Sequence, residues 1–180
     1  EDVVVAIDLS ANTSGVTINQ QQSATDGVAA PVLAGAILTG SGNDLIKASA
    51  GTITGNSALG AGDDRVSLSG DVAYKGRIDF GSGRATMSLA DEASFTGTAI
   101  FNDAQSVLTI ADDALFSGAI SGGSNLAVQV NGGTLEASGT EDVHIASLTV
   151  GEGGTLKVAI DSETQSNPQF VVGSATFEDG

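Results

Sequence analysis

The sequence contains no cysteine or tryptophan, and only two prolines among its 180 residues. Without cysteine the chain cannot form disulfides, thiolate metal sites or a nucleophilic thiol. Basic residues are also scarce, because six Lys and Arg stand against 22 Asp and Glu and leave a formal net charge of −16. A surface of this sign repels phosphate backbones and anionic lipid headgroups. We therefore expect no nucleic-acid partner.

Signals for export and membrane insertion are missing as well. The sequence has neither a signal-peptide pattern nor an apolar run long enough for a membrane-spanning helix. It begins at Glu1 and ends at Gly180, and we expect it to be a fragment of a longer protein. A lack of cysteine is permissible in the cytosol, and it also suits a chain that crosses a periplasm without being bridged.

Glycine is abundant, with 25 residues, and the apolar residues are mostly small or β-branched. This composition is typical of many short strands joined by tight turns. Triplets that read apolar, polar, apolar recur every 20 or 21 residues, and they begin at Ile46, Val66, Met87, Leu108, Val128 and Leu148. Alternation with a period of two places the outer residues of each triplet on one face and the middle residue on the other.

Glycine and aromatic residues repeat at the same interval. The glycines, spaced 20 or 21 residues apart, are Gly35, Gly55, Gly76, Gly97, Gly118 and Gly139. Aromatic residues recur every 21 residues in two sets, which are Tyr74, Phe95 and Phe116, and Phe80 and Phe101. A fixed period of this length indicates a stacked repeat whose units cannot bury their apolar faces alone.

Other repeat classes fit the sequence less well. A leucine-rich repeat needs an apolar residue three positions before each triplet, where this chain has Asp63 and Gln105. Helical repeats need the apolar periodicity of an α-helix, which no stretch shows. The sequence therefore predicts an all-β fold, a right-handed parallel β-helix of 20–21 residues per coil, with residues one period apart stacked above each other.

We expect one continuous domain with irregular ends. Its parts are irregular N-terminal coils with an insertion at 1–33, regular coils at 34–150, and a C-terminal coil or cap at 151–180. The insertion is inferred from Val16-Thr17-Ile18, because this triplet precedes the one at Ile46 by clearly more than one period. In the last segment the triplet pattern weakens, and a polar loop and Pro168 follow, although GGTLEA and GGTLKV still match 21 residues apart.

Three stretches resemble the passenger domains of bacterial autotransporters (type V secretion): TGSGNDLIKASAG, LGAGDDRVSLSG and GGTLKVAIDSETQSNPQFVVGSATF. The resemblance is to the C-terminal β-helical part of the passenger. It implies an extracellular stalk on a Gram-negative bacterium, exported through the periplasm and outer membrane. It also implies a C-terminal coil that promotes folding, and a partner in the protein's own C-terminal outer-membrane β-barrel.

Two motifs could bind calcium. GSGND at 40–44 and GAGDD at 60–64 look like halves of the Gly- and Asp-rich nonapeptide of calcium-binding β-rolls. Such sites need tandem nine-residue units that supply oxygens together, whereas these motifs lie a whole coil apart. We therefore favour a role in the turns over a metal site. In the third instance Arg84 replaces the acid, and we expect it to form an ion pair with Asp63 one coil below.

Acidic residues also recur at the opposite turn. Asp71, Glu92 and Asp113 are spaced 21 residues apart, and Asp91 precedes Asp112 by the same interval. Like charges about 5 Å apart repel by only about 1 kcal/mol in water. We favour solvated turns here, with weak binding of a divalent cation as the alternative.

The sequence offers two arrangements that could support catalysis. Asp79 and Arg77 share the outer face of one strand, but the neighbours of Asp79 one coil away, Ala58 and Ile100, supply no second acid. The single histidine, His144, has the acids Glu141 and Asp142 nearby, and Ser147 follows three positions later on the same strand. That spacing is poor geometry for a triad. We expect no catalytic, metal or cofactor site.

The favoured function is therefore a structural β-helical stalk and folding module of a surface-exposed passenger. A carbohydrate- or host-binding adhesin is the alternative, and a polysaccharide-degrading enzyme is the least favoured. The column of Tyr74, Phe95 and Phe116 discriminates between the first two. If these rings are buried they favour the stalk, and if they face solvent they favour binding.

Overall fold

A computed structural model describes residues 4–139, 141–158 and 168–178, and over these ranges the chain consists of strands and turns without a helix. Accordingly, no described helix is long and apolar enough to span a membrane. The strands belong to two sheets, A and B. Every pairing between strands is parallel. The predicted parallel β-solenoid is therefore confirmed.

The chain alternates between the two sheets, and each return adds a rung. In sheet A the stacking order is β1 (Val5–Asp8), β4 (Ala36–Leu38), β7 (Ser57–Ala58), β9 (Ala73–Asp79), β11 (Ser94–Ile100), β13 (Leu115–Ser121), β15 (Thr134–Ala137) and β17 (Thr155–Val158), with β3 (Val32–Ala34) and β6 (Thr52–Thr54) beside it. In sheet B the order is β2 (Thr17–Gln20), β5 (Leu45–Ala48), β8 (Asp64–Leu68), β10 (Ala85–Leu89), β12 (Ser106–Ala111), β14 (Leu126–Asn131), β16 (Val143–Val150) and β18 (Phe170–Phe177).

The six triplets form sheet B in the predicted register. Their first residues pair in sequence: Ile46 with Val66, Val66 with Met87, Met87 with Leu108, Leu108 with Val128, and Val128 with Leu148. All six are buried, because alternation turns the apolar positions toward the space between the sheets. The middle residues of the triplets lie on the outer face, and the core is therefore a set of aliphatic ladders.

Aromatic ladders fill the core on the side of sheet A. The ring centroids of Tyr74 and Phe95 lie 5.5 Å apart, and those of Phe95 and Phe116 lie 4.8 Å apart. Phe80 and Phe101 form a second stack at 5.2 Å. All five rings are at most 2 % exposed. Each such aromatic pair contributes about 0.5–1.5 kcal/mol beyond the burial of its surface.

The glycine column marks a bend within the strands of sheet A. Gly97 pairs with Gly76 below it and with Gly118 above it. It has φ 152°, and a Cβ atom there would overlap the carbonyl oxygen of Gly76. Only glycine therefore allows the rungs to approach at this bend. The prediction is wrong for Gly139, because the partner of Gly118 on the next rung is Ala137, two positions earlier.

The N-terminal rung of sheet B, β2, lies before the predicted insertion. Ile18 pairs with Ile46, which confirms that the step between these two rungs is longer than one period. Ile18 is, however, the first residue of the aligned triplet and not the last. The third position is taken by Gln20, which is nearly buried and whose Nε2 donates to the carbonyl oxygen of Ala50 at 2.9 Å. A polar residue with a satisfied amide thus occupies a position where the pattern required an apolar one.

The C-terminal end returns to the ladder of sheet B, although the triplet pattern of the sequence weakens there. In β18, Ala175 pairs with Leu148 and Phe177 with Val150. The weakened pattern did not locate this return, which follows a longer connection than in the regular coils. The match between GGTLEA and GGTLKV is confirmed by the pairing of Leu135 with Leu156. The predicted polar loop, 161–167, lies outside the described residues.

Candidate functional sites

The GSGND and GAGDD motifs form stacked turns at the entrance to sheet B. The N–H of Asp63 donates to Oδ1 of Asn43 at 2.8 Å, and the N–H of Arg84 donates to Oδ1 of Asp63 at 3.0 Å. Each side chain thus caps the backbone of the rung above it. The predicted ion pair between Arg84 and Asp63 is wrong, because within the described ranges the single salt bridge is Arg77–Asp79. The Asp63 carboxylate binds a backbone N–H, while the Arg84 side chain is exposed.

The final aspartate of each motif points inward. Asp44 is 3 % exposed and Asp64 is 1 % exposed. The N–H of Val16 donates to Oδ1 of Asp44, and the N–H of Asp44 donates to Oδ1 of Asp64, each at 2.8 Å. The column continues through Ala85, whose N–H donates to Oγ of Ser106 at 3.0 Å. Polar side chains here replace part of the backbone ladder between rungs.

The second oxygens of the two carboxyl groups are orphaned. Oδ2 of Asp44 and Oδ2 of Asp64 are buried without a hydrogen-bond partner. Burial raises the pKa of Asp64 to about 6, against the opposing N–H of Asp44, and the negative charges of Asp44 and Asp63 add to the rise. The sequence analysis missed this pair. Alternation continued from the buried Ile46 and Val66 back by two positions would have placed both aspartates inside.

The opposite turn contains a second column of aspartates. The N–H of Gly70 donates to Oδ2 of Asp91 at 2.8 Å, and the N–H of Asp91 donates to Oδ2 of Asp112 at 3.2 Å. Asp91 and Asp112 both adopt left-handed backbone, with φ 58° and 56°. Aspartate tolerates this conformation better than most residues, because its short polar side chain can bond locally. The predicted stacking of Asp91 under Asp112 is confirmed, and both carboxylates serve the turn.

The other acids of this turn, Asp71, Glu92 and Asp113, are exposed to solvent. Among the residues that the structure describes, no group of three or more His, Cys, Asp or Glu side chains is placed to hold a metal ion. The alternative of weak divalent-cation binding at these turns has no further support from the geometry.

We expect removal of calcium to change the stability of the solenoid little. The carboxylates that cap the turns already accept backbone N–H groups, and Ca²⁺ needs six to eight oxygen ligands. Thermal unfolding followed by circular dichroism should therefore give nearly the same Tm in EDTA and in millimolar Ca²⁺ at neutral pH, with Mg²⁺ as the control ion. A rise of many degrees in Ca²⁺ alone would contradict the expectation.

The outer face of sheet A contains a carboxylate with several donors. Nη2 of Arg77 lies 2.7 Å from Oδ2 of Asp79, and Oδ1 of Asp79 accepts Nδ2 of Asn102 and the N–H of Gly81, each at 3.0 Å. Partial burial opposes ionisation, but these donors outweigh it and lower the pKa of Asp79. A carboxylate held in this way is a poor general acid or base at neutral pH.

A groove of about 280 Å³ adjoins this ion pair, and Ala36, Leu38 and Ala58 are among the residues that line it. Ala58 and Ile100 are the rung neighbours of Asp79, as predicted. Neither supplies the second carboxylate that glycoside hydrolysis uses. The groove therefore contains one ion pair, and the rung neighbours of Asp79 do not complete a pair of catalytic carboxylates.

The histidine lies in a different groove. His144 lines a depression of about 350 Å³ together with Glu141 and Asp142. Oδ1 of Asp142 accepts the N–H of Gln169 at 3.1 Å, so this carboxylate holds the backbone of the following rung. Ser147 does not line the groove. The structure thus brings the histidine and its two acids together, and it leaves the serine of the hypothetical triad apart.

Comparison with known proteins adds no family to this description. The chain matches no protein-family model, no curated protein and no solved structure. The strand register and the stacked side-chain columns define its class as a parallel β-solenoid. The likeness to autotransporter passengers rests on the sequence motifs.

Proposed function

We propose that the chain is the C-terminal β-helical part of an autotransporter passenger, and that it acts as a structural stalk and folding module. In this proposal it lies outside a Gram-negative cell and is attached through the protein's own outer-membrane β-barrel. The parallel solenoid is the architecture that the proposal requires. A stack of this kind extends by adding rungs, and it tolerates sequence change on its outer faces.

The burial of the aromatic column is the observation that supports the stalk over the adhesin. Tyr74, Phe95 and Phe116 are at most 1 % exposed, so their rings stabilise neighbouring rungs and are not offered to a ligand. The hydroxyl of Tyr74 is satisfied internally by Oγ of Ser57 at 2.7 Å. Burial also raises the pKa of Tyr74 to about 12, against this hydrogen bond. A carbohydrate-binding platform would need such rings at the surface.

The proposal assigns no catalytic activity to this chain. Asp142 holds the backbone of the following rung, and Asp79 pairs with Arg77. The rung neighbours of Asp79, Ala58 and Ile100, supply no second carboxylate of the kind that glycoside hydrolysis uses.

The location can be tested on intact cells of the natural host. A protease added to the medium should cleave the protein, and antibodies against this chain should label unpermeabilised cells. A periplasmic protein of the same strain is the control, which should stay intact and unlabelled. Protection of the chain until the outer membrane is opened would contradict the proposed location.

The folding role predicts that the two ends differ in importance. Deletion of 134–180 removes β15, β16, β17 and β18 and exposes the edges of β13 and β14. We expect this variant to be unfolded or aggregated. The open sheet edges have unpaired backbone groups that can pair with other chains, and the remaining rungs lack the neighbour on which they fold. Deletion of 1–33 should leave a folded rod of lower stability.

Circular dichroism and urea titration of both truncations decide the point. The deletion of 1–33 is the matched control, since it also removes rungs from one end of the stack. A cooperative transition in the C-terminal deletion at the parent's urea midpoint would exclude a C-terminal folding nucleus. This outcome would not affect the proposed location at the cell surface, which the protease experiment tests separately.

A further inference from the structure

The buried carboxyl column joins the first three rungs of sheet B. Oδ1 of Asp44 binds the N–H of Val16, just before β2, and Oδ1 of Asp64 binds the N–H of Asp44, just before β5. Each carboxyl group therefore reaches back by one rung. Residues 21–31 between β2 and β3 form no strand. The column therefore adds a side-chain link to the pairing of β2 with β5.

Two ionised carboxylates at this position would be poorly accommodated. Stacked rungs lie about 4.8 Å apart, and both Oδ2 atoms are buried without a partner. A buried charge that lacks a counter-ion or hydrogen bond is strongly unfavourable. The flanking charged side chains do not neutralise the pair, since Lys47, Arg65 and Arg84 are exposed to solvent. The exposed carboxylate of Asp63 adds negative charge beside it.

We propose that the buried carboxyl group of Asp64 binds a proton in the folded protein, and that this proton stabilises the attachment of the N-terminal rung to the rest of the solenoid. A proton on Oδ2 of Asp64 removes a negative charge from the buried column and turns an unpaired acceptor into a donor. Loss of this proton leaves the charge buried beside Asp44 and loosens β2. The inference is independent of the location and family proposed above.

A proton fits this place better than a metal ion. The column offers two free carboxyl oxygens, and its other polar positions already bond backbone N–H groups. Calcium takes six to eight oxygens and magnesium a full octahedron. The next rung of the column holds Ala85, which has no oxygen on its side chain to complete a coordination shell. A proton needs only one of these oxygens.

The buried Asp64 carboxyl group makes stability depend on pH in a defined direction. Burial raises the pKa of Asp64 from 3.8 to about 6, so the folded state binds more protons than the unfolded state between these values. Its contribution to stability is complete below about pH 4 and is lost as the pH rises through about 6. Asp8 and Asp79, whose pKa values are lowered, act in the opposite sense and at lower pH. The pH range in which Asp64 affects stability can therefore be separated from the lower range in which Asp8 and Asp79 do.

The test compares Asp64→Asn with the wild-type chain by urea titration at pH 5 and pH 8. For the wild type, a pKa that moves from 3.8 to about 6 gives a folding equilibrium constant roughly tenfold larger at pH 5 than at pH 8. The variant should lose this difference. It should also be more stable than the wild type at pH 8, because the amide keeps an oxygen for the N–H of Asp44 and supplies the donor that the proton supplies.

Asp63→Asn is the matched control. It removes one negative charge from the adjacent, exposed position and should keep the difference between pH 5 and pH 8. This control accounts for the general relief of repulsion on acidification of a chain with a net charge of −16. Equal pH dependence in Asp64→Asn and in the wild type would overturn the proposal.

Two further measurements test the proposal on the wild-type chain, and neither requires the variant to fold. Carboxyl ¹³C NMR of the wild-type chain should show one carboxyl group that titrates near pH 6, and its absence would overturn the proposal. Hydrogen exchange of the β2 amides, corrected for the intrinsic rate, should be slower at pH 5 than at pH 8. If millimolar Ca²⁺ at pH 8 protects β2 in the wild type but not in Asp64→Asn, the pair is a cation site and the proton assignment is wrong.

Discussion

Leu89→Asp is expected to unfold the solenoid. Leu89 is 1 % exposed, lies in the central strand β10, and pairs with Leu68 below and Ile110 above. A carboxylate at this position would be buried inside an aliphatic ladder without any partner. The expected loss is about 4 kcal/mol or more, against the roughly 5–15 kcal/mol that stabilises an ordinary domain. Ile110→Asp, one rung higher in the same ladder, should have the same effect.

Ser88→Asp is the matched control, because it introduces the same charge one position away on the outer face. Ser88 is half-buried and pairs with Ser67 and Thr109. Its side chain has access to water, so the expected cost is about 1 kcal/mol or less. Urea titration followed by circular dichroism measures both variants. Equal shifts of the urea midpoint would mean that the assigned faces of sheet B are wrong.

Gly97→Ala is expected to have the second-largest effect. The new Cβ would overlap the carbonyl oxygen of Gly76 on the rung below, and φ 152° is unfavourable for any residue with a side chain. This overlap can be relieved only if the two rungs separate. The separation breaks the parallel ladder on both sides of the substitution. We expect a loss of about 3–5 kcal/mol from backbone strain and overpacking together.

Gly139→Ala separates these two causes. Gly139 also has a positive φ, of 106°, but a Cβ atom there would meet nothing within 4 Å. Its cost should be the conformational strain alone, about 1–2 kcal/mol. Thermal unfolding of both variants at one pH provides the comparison. If Gly97→Ala costs no more than Gly139→Ala, close approach between rungs does not explain the glycine column.

The regular coils were predictable from the sequence because stacking makes the environment repeat. A residue such as Met87 meets the same position of the rung below and of the rung above, so the same residue type is favoured once in every coil. The period of two inside each strand then assigns the faces. For this reason the aliphatic triplets and most of the glycine column were placed correctly. The residues of the aromatic column stack as predicted, whereas the face that they occupy was left open.

The sequence pattern failed where the loop between rungs changes length. The step from Gly118 is shorter than in the regular coils and leads to Ala137 instead of Gly139, whereas the step from Val150 to Phe177 is longer. The entropy of closing a surface loop grows only slowly with its length. Insertions are therefore tolerated, and a fixed period cannot locate the next rung. Which residue returns to the ladder is decided by packing in the core.

The candidate sites show the same division between local and tertiary information. Composition and motif spacing identified the acidic turns, since Gly and Asp are favoured in tight and left-handed backbone. They did not reveal that Asp63 bonds backbone instead of Arg84, or that Asp44 and Asp64 lie inside the solenoid. By itself the sequence determined the repeat, the alternation of faces and the sign of the charge. The tertiary structure decided which carboxyl groups are removed from water, because that depends on the rung stacked above each residue, a whole coil away in the chain.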